Sequence, residues 1–313
     1  MDIKKKLLVI DGSAVLHRAY HALPPFTSPD GTPTNALYGF IKMLLSLIDQ
    51  VQPMYLVVCF DSPIPTFRKK LLPSYQAQRP KTPDEYKVQI PLTQKYLEKA
   101  GIAQYFLPGF EADDVIGTIT ALSKREDPDL HVYIVTGDKD ILQLVDERTT
   151  VLMPKSGVGN INYMREQQVK ERLGVMPKQI IDYKALVGDP SDNYGGIRGI
   201  GPKKATDLLM KYGNLKNIYE HIEELDHKVK SLLVECKKDA ELSQTLATIK
   251  TDLDLPIHNS DLDFKTRTPS PELIEYLDSL SLQSIKRQLQ QIKAREEKMP
   301  VSVKKKDNQL TFF

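Results

Sequence analysis

Cysteine is scarce in this chain. Cys59 and Cys236 are its two cysteines in 313 residues, and neither belongs to a CxxC pattern. A disulfide framework or a cysteine zinc site is therefore not expected, and a reducing, cytosolic setting is. Charge of one sign is also lacking. The formal net charge is +2, so any affinity for nucleic acid must come from local patches. Long apolar runs are missing too. The N-terminus, MDIKKKLLVIDG, reaches Asp11 after four apolar residues, too few for a signal peptide or a membrane span. The six histidines are scattered and suggest no role. The length suits one large domain or two smaller ones.

What the chain does have is acid in unusual places. Glu111-Ala112-Asp113-Asp114 puts three carboxylates in four residues. Acids in the first turn of a helix complement its dipole, which accounts for one or two of them. Three repel one another unless a cation lies among them, and carboxylate oxygens are the ligands that Mg2+ and Mn2+ take.

Leu7–Ile10, Tyr55–Phe60 and His131–Val135 are apolar runs of the kind buried in parallel sheets. The first two end at Asp11 and Asp61; the third is followed by Asp138 and Asp140. Further strands are expected at 103–107 and 150–153, and helices at 14–21, 34–50 and 84–100. This alternation predicts an α/β domain with a mostly parallel central sheet flanked by helices. Ligands of such sheets bind beyond the carboxyl ends of the strands. Between Ser62 and Pro83 there is no acid, while Arg68, Lys69, Lys70, Arg79 and Lys81 occur with Phe67 and Tyr75 among them. From about Arg165 a helical region is expected. It contains Asp189 and Asp192, then four glycines in the seven residues Gly195–Gly201, then Pro202 at a helix start. Residues 294–308 read as a disordered linker, and Gln309-Leu310-Thr311-Phe312-Phe313 as a short peptide for a partner's pocket.

No histidine or cysteine lies among Asp11, Asp61, Glu111, Asp113, Asp114, Asp138, Asp140, Asp189 and Asp192. Oxygen-only donors favour Mg2+ or Mn2+, and this number of acids suits two ions and in-line displacement at a phosphodiester. The basic stretch suits phosphates, Tyr75 suits base stacking, and the glycine turn with the next helix N-terminus suits a duplex phosphate. Each feature has a plainer reading as well. Glu111 alone is a helix cap, Asp140 alone a turn residue, and Arg68 to Lys70 a solvated face. Tyr20 reads equally as a core aromatic.

The strings VIDGSAVLHRAYHALPP, VVCFDSPIPTFRKKLLPSYQAQRP, FEADDVIGT, TGDKDILQLV, VGDPSDNYGGIRGIGPKKA and LATIKTDLDL occur in order over residues 5–255. Together they resemble the bacterial 5′-nuclease family: the exonuclease domain of DNA polymerase I and its stand-alone relatives, within the flap endonuclease superfamily. The resemblance implies a PIN-like nuclease core over 1–164 with a helical arch around 62–100. It implies a helical DNA-binding region over 165–292 with a helix–three-turn–helix at about 180–212, and a flexible tail over 293–313. One metal site would use Asp61, Glu111, Asp113 and Asp114 with Asp11 nearby; a second would use Asp138, Asp140, Asp189 and Asp192. Arg18 and Tyr20 would lie on the site floor, Arg79 near the scissile phosphate, and Tyr75 and Arg68 against DNA. Gly196, Gly199, Gly201, Lys203 and Lys204 would grip duplex, in this family often around K+. Gln309, Leu310, Phe312 and Phe313 resemble a sliding-clamp-binding peptide.

Two positions depart from the family pattern. Gln76 stands where a basic residue usually follows the arch tyrosine, leaving Lys69 or Lys70 as substitutes, and Tyr194-Gly195 replaces Ile-Pro or Val-Pro. The expectation is a monomeric, nucleoid-associated, structure-selective 5′-3′ exonuclease or flap endonuclease of replication and repair. The alternatives are a catalytically weak, clamp-recruited DNA-binding protein and a phosphatase on the same sheet. The phosphatase has no use for the glycine turn.

Overall fold

The computed structural model describes residues 5–155, 161–264 and 269–298. The peptide Gln309–Phe313, proposed to bind a clamp, lies outside the described residues.

A six-stranded sheet positions everything else. Its strands are β1 (Lys6–Asp11), β2 (Tyr55–Cys59), β3 (Ala103–Tyr105), β4 (His131–Val135), β5 (Thr149–Pro154) and β6 (Ile161–Met164). Their spatial order is β3-β2-β1-β4-β5-β6, parallel except for the antiparallel edge strand β6. The apolar runs pair in register, with Leu8 opposite Leu56 and Tyr133, and Val9 opposite Val57 and Ile134. Side chains alternate across the sheet. Leu7 and Val9 enter a core with α6 (Ala112–Glu126). Leu8 and Ile10 enter another with α1 (Gly12–Ala22) and α2 (Asn35–Val51). Chain order runs outward from β1 on both sides, so the connections after β1 and β4 diverge and leave a crevice at the strand ends.

Residues 62–100, where a helical arch is expected, are built from short pieces. They form α3 (Phe67–Leu71), a run of turns, α4 (Asp84–Lys87) and α5 (Gln89–Lys99). The helix expected over 84–100 breaks at Val88 for a physical reason. Pro91 has no N–H, and a fresh start at Gln89 puts it in a first turn, where none is needed.

The rest comprises α7 (Glu166–Leu173), α8 (Ile180–Val187), α9 (Pro202–Tyr212), α10 (Leu215–Glu220), α11 (His227–Glu235), α12 (Lys237–Ala247), α13 (Pro271–Ser279) and α14 (Gln283–Lys298). Two corrections follow. The helical region is interrupted by a small antiparallel ladder of β7 (Gly188–Asp189) with β8 (Tyr194–Gly195). And α14 continues to Lys298, into residues expected to be linker. No helix among the described residues is long and apolar enough to cross a membrane.

Candidate metal centre

β1 ends in Asp11, which also caps α1: its Oδ1 accepts from the Ala14 amide at 2.9 Å and its Oδ2 from the Thr136 hydroxyl at 2.7 Å. Asp61, just past β2, accepts from the Ala112 amide at 2.9 Å and so touches the start of α6. Asp113 lies in that first turn, close enough to Asp138, Asp11, Asp140 and Asp61 for each to repel its charge. Asp138 follows β4 and accepts from the Asp140 amide at 2.8 Å. Across the crevice, β7 and its turn bring in Asp189 and Asp192. One carboxylate oxygen each of Asp140, Asp189 and Asp192 lies within 4.8 Å of the others.

Burial and mutual repulsion distort their acidity. Burial, then Asp61, raises Asp11 to about 7. Burial likewise raises Glu111 to about 7 against the opposing pull of Arg68. Burial, then Asp138, raises Asp140 to about 7, and Asp113 stands well above the ordinary range for the same kinds of reason. A carboxylate group of this density is stable at neutral pH with protons or with a cation, and its all-oxygen donors fit a hard divalent ion.

One cation of the chain is already there. The Lys184 ammonium, on α8, bonds to both Asp140 and Asp189. Burial alone would lower its pKa, but Asp140, Tyr194 and Asp189 raise it above the ordinary lysine value. Sequence reasoning missed Lys184. The available signal was its place one helical turn before Gly188-Asp189.

Three expected roles are corrected. Asp114 is fully buried and has no free lone pair for a metal. It holds the Arg68 guanidinium in two bonds at 2.7 and 2.9 Å and accepts from the Glu111 and Lys250 amides. Arg68 is 2% exposed and so is unavailable to a DNA phosphate. Tyr75, also 2% exposed, lies against Tyr194 and donates to Asp192 at 2.8 Å, so no base can stack on it here.

The turns from Ser74 to Arg79 fold onto the Asp192 loop. Gln76 and Arg79 donate to Asp192 Oδ1 at 3.1 and 2.7 Å, the Gln76 amide donates to the Asp192 carbonyl, and the Asn193 amide group donates to the Ser74 carbonyl. Lys69 is exposed. Arg18 bonds the Lys155 carbonyl, while Tyr20 is half-buried and bonds Glu85 at 3.3 Å.

The glycine turn is built on close approach. A Cβ on Gly196 would fall 2.3–2.5 Å from backbone atoms of Gly188, Leu186 and Val187, and Gly188 itself has φ +75°. Gly199 takes φ +93°, and Gly201 starts α9 with no side-chain cap. Lys203 is exposed and Lys204 half-buried in the first turn of that helix.

Comparison with known proteins agrees with this architecture. A family model for the 5′-3′ exonuclease N-terminal resolvase-like domain matches residues 6–174, and one for the 5′-3′ exonuclease C-terminal SAM fold matches residues 175–270. The chain belongs to the 5′-3′ exonuclease family. It is 42% identical to a 5′-3′ exonuclease of Aquifex aeolicus over 92% of this chain and 96% of that protein. It is 41% identical to DNA polymerase I of Lactococcus lactis over 92% of this chain and 33% of that protein, so it spans about a third of the polymerase. Among solved structures, a zinc-bound T5 5′-exonuclease superposes with TM-score 0.61 at 21% identity, covering 92% of this chain and 99% of that one. The catalytic core of Rad2 superposes with TM-score 0.58 at 16% identity, covering 92% and 93%. The shared fold is a PIN-like nuclease core with a helical C-terminal region.

Proposed function

We propose that this exonuclease-family chain is a Mg2+- or Mn2+-dependent, structure-selective 5′-3′ nuclease that hydrolyses DNA phosphodiesters at 5′ flaps and 5′ ends, RNA primers included. The observation that carries this is the convergence of Asp11, Asp61, Asp113, Asp138, Asp140, Asp189 and Asp192 on one crevice with no nitrogen or sulfur donor among them. Asp140, Asp189 and Asp192 would hold one ion; Asp113, with Asp11, Asp61, Glu111 and Asp138, would hold another. Two such ions would activate water for in-line attack and offset charge on the leaving oxygen.

The chain's own residues do the positioning. Arg79 has a half-exposed guanidinium beside Asp192, placed to meet a phosphate oxygen entering the crevice. Arg18 and Lys69 add cationic groups, and Tyr20 a half-buried aromatic face. The amides of Gly201, Lys203 and Lys204, around the N–H-less Pro202, open a helix N-terminus toward a phosphate of the duplex, and Lys203 and Lys204 add charge there. This reading makes the turn a helix–three-turn–helix, with K+ at its carbonyls. A T5 flap endonuclease structure described as a pseudo-enzyme-product complex with DNA and metal ions, and Rad2 structures with DNA substrate, support DNA as the ligand. The Gln309–Phe313 peptide would recruit a sliding clamp.

The test is cleavage of a 5′-flap substrate with Mg2+ and with EDTA. Metal-dependent release of the flap is expected. Flap binding without metal-dependent cleavage would refute the nuclease reading.

A further inference from the structure

We propose that Arg68 is a positioning residue for Glu111, fixing that carboxylate at the metal end of α6 through its pairing with Asp114. The inference rests on the reading of Glu111 as a metal ligand.

Arg68 sits on α3, and its guanidinium is almost fully saturated. Two N–H groups bind the Asp114 carboxylate; Nε and Nη2 donate to the carbonyls of Leu246 and Thr248 at 2.8 and 2.9 Å; Nη1 lies 3.3 Å from Glu111 Oε2. Asp114 in turn accepts from the Glu111 amide at 3.1 Å. The Glu111 backbone and side chain are thus both tied to one buried ion pair. Thr66 and Tyr75, whose hydroxyl oxygens lie 3.3 Å from the Glu111 carboxylate, belong to the same segment as Arg68. Lysine cannot reproduce this arrangement, since it lacks the planar fork that reaches two carboxylates and two carbonyls at once. The two carbonyls follow α12 or end it, so the same side chain anchors the helical region to the nuclease core beside the metal ligands.

Two variants test this without changing net charge: Arg68→Lys, and the neutral double variant Arg68→Met/Asp114→Asn. Whole protein is used, with folding checked by circular dichroism. Mn2+ affinity is measured by calorimetry, flap affinity in Ca2+, and the Mg2+ concentration giving half-maximal cleavage. The expected result is metal affinity weakened about 10- to 100-fold, as for lost outer-sphere partners of metal ligands. Maximal cleavage should return at high Mg2+, with flap affinity within about threefold of wild type. If the double variant does not fold, Arg68→Lys decides. Unchanged Mn2+ affinity in a folded variant overturns the proposal. So does weakened flap affinity with intact metal affinity, which would make Arg68 a phosphate contact. If the wild-type protein does not cleave flaps, the nuclease reading fails, and the Mn2+ comparison still decides the role of Arg68.

Discussion

At the scale of single residues, charge balance around the acids decides what each substitution does. Asp113 lies among four other carboxylates, each of which repels its charge. Asp113→Asn should lower kcat/KM on a 5′ flap on the order of 100-fold or more, the scale of removing one electrostatic stabiliser from a reacting centre. Lys184 is the converse case. Lys184→Met leaves Asp140 and Asp189 facing each other, a loss of about 3 kcal/mol for a buried pair deprived of its cation. Thermal melts should show a lower Tm in EDTA and a larger gain on adding Mg2+ than in the wild type. Asp11, Asp61 and Asp138 were legible in the sequence because each follows an apolar run that can only be a buried strand. Arg68 was not legible. It stands in a cationic stretch with two solvated lysines, and its burial comes from a pairing with Asp114 and a return of the chain near Thr248 that local pattern does not encode.

At the scale of elements, the glycine turn is the most constrained piece. Gly196→Ala would drive a methyl into the backbone of Gly188, an overpacking cost of about 1–3 kcal/mol or more. The expected drop in Tm is about 2–4 °C per kcal/mol for a domain of this size. A Gly195→Ala control meets open space and should melt near the wild-type temperature. Elements with strong periodicity were readable to within a few residues: α2 and α9 from their apolar faces, β1, β2 and β4 from continuous runs. Short or polar elements were not. β6 carries Asn162 and Tyr163 and pairs only at an edge, and β7 with β8 has two residues each, below any periodic signal.

At the scale of the whole molecule, fold and acid site oppose each other. Asp11, Glu111 and Asp140 titrate near 7, above their ordinary values of 3.8, 4.5 and 3.8, and Asp113 is raised as well. Across the window from about 4 to 7 these carboxyls therefore hold more protons in the folded state than in the unfolded chain, the depressed His17 working in the opposite direction. Unfolding free energy falls as pH rises through that window, by about 1.4 kcal/mol per unit of displacement for each group. In EDTA the Tm should decline from pH 5 to pH 8. Mg2+ should restore more of it at pH 8 than at pH 5, because binding requires the deprotonated carboxylates. A Tm in EDTA that rises over that range would refute this electrostatic picture.

The fold of Ser74–Arg79 onto the Asp192 loop has a consequence for proteases. Those turns are held through Asp192 and Asn193, and Asp192 is also an acid that an incoming ion would recruit. Loading the crevice with metal should loosen the segment, so trypsin should cut the exposed Lys81–Thr82 bond faster in Mg2+ than in EDTA, and bound flap DNA should slow it again. The susceptibility of these turns to digestion would then report, on an ordinary gel, whether the crevice holds metal, DNA or neither.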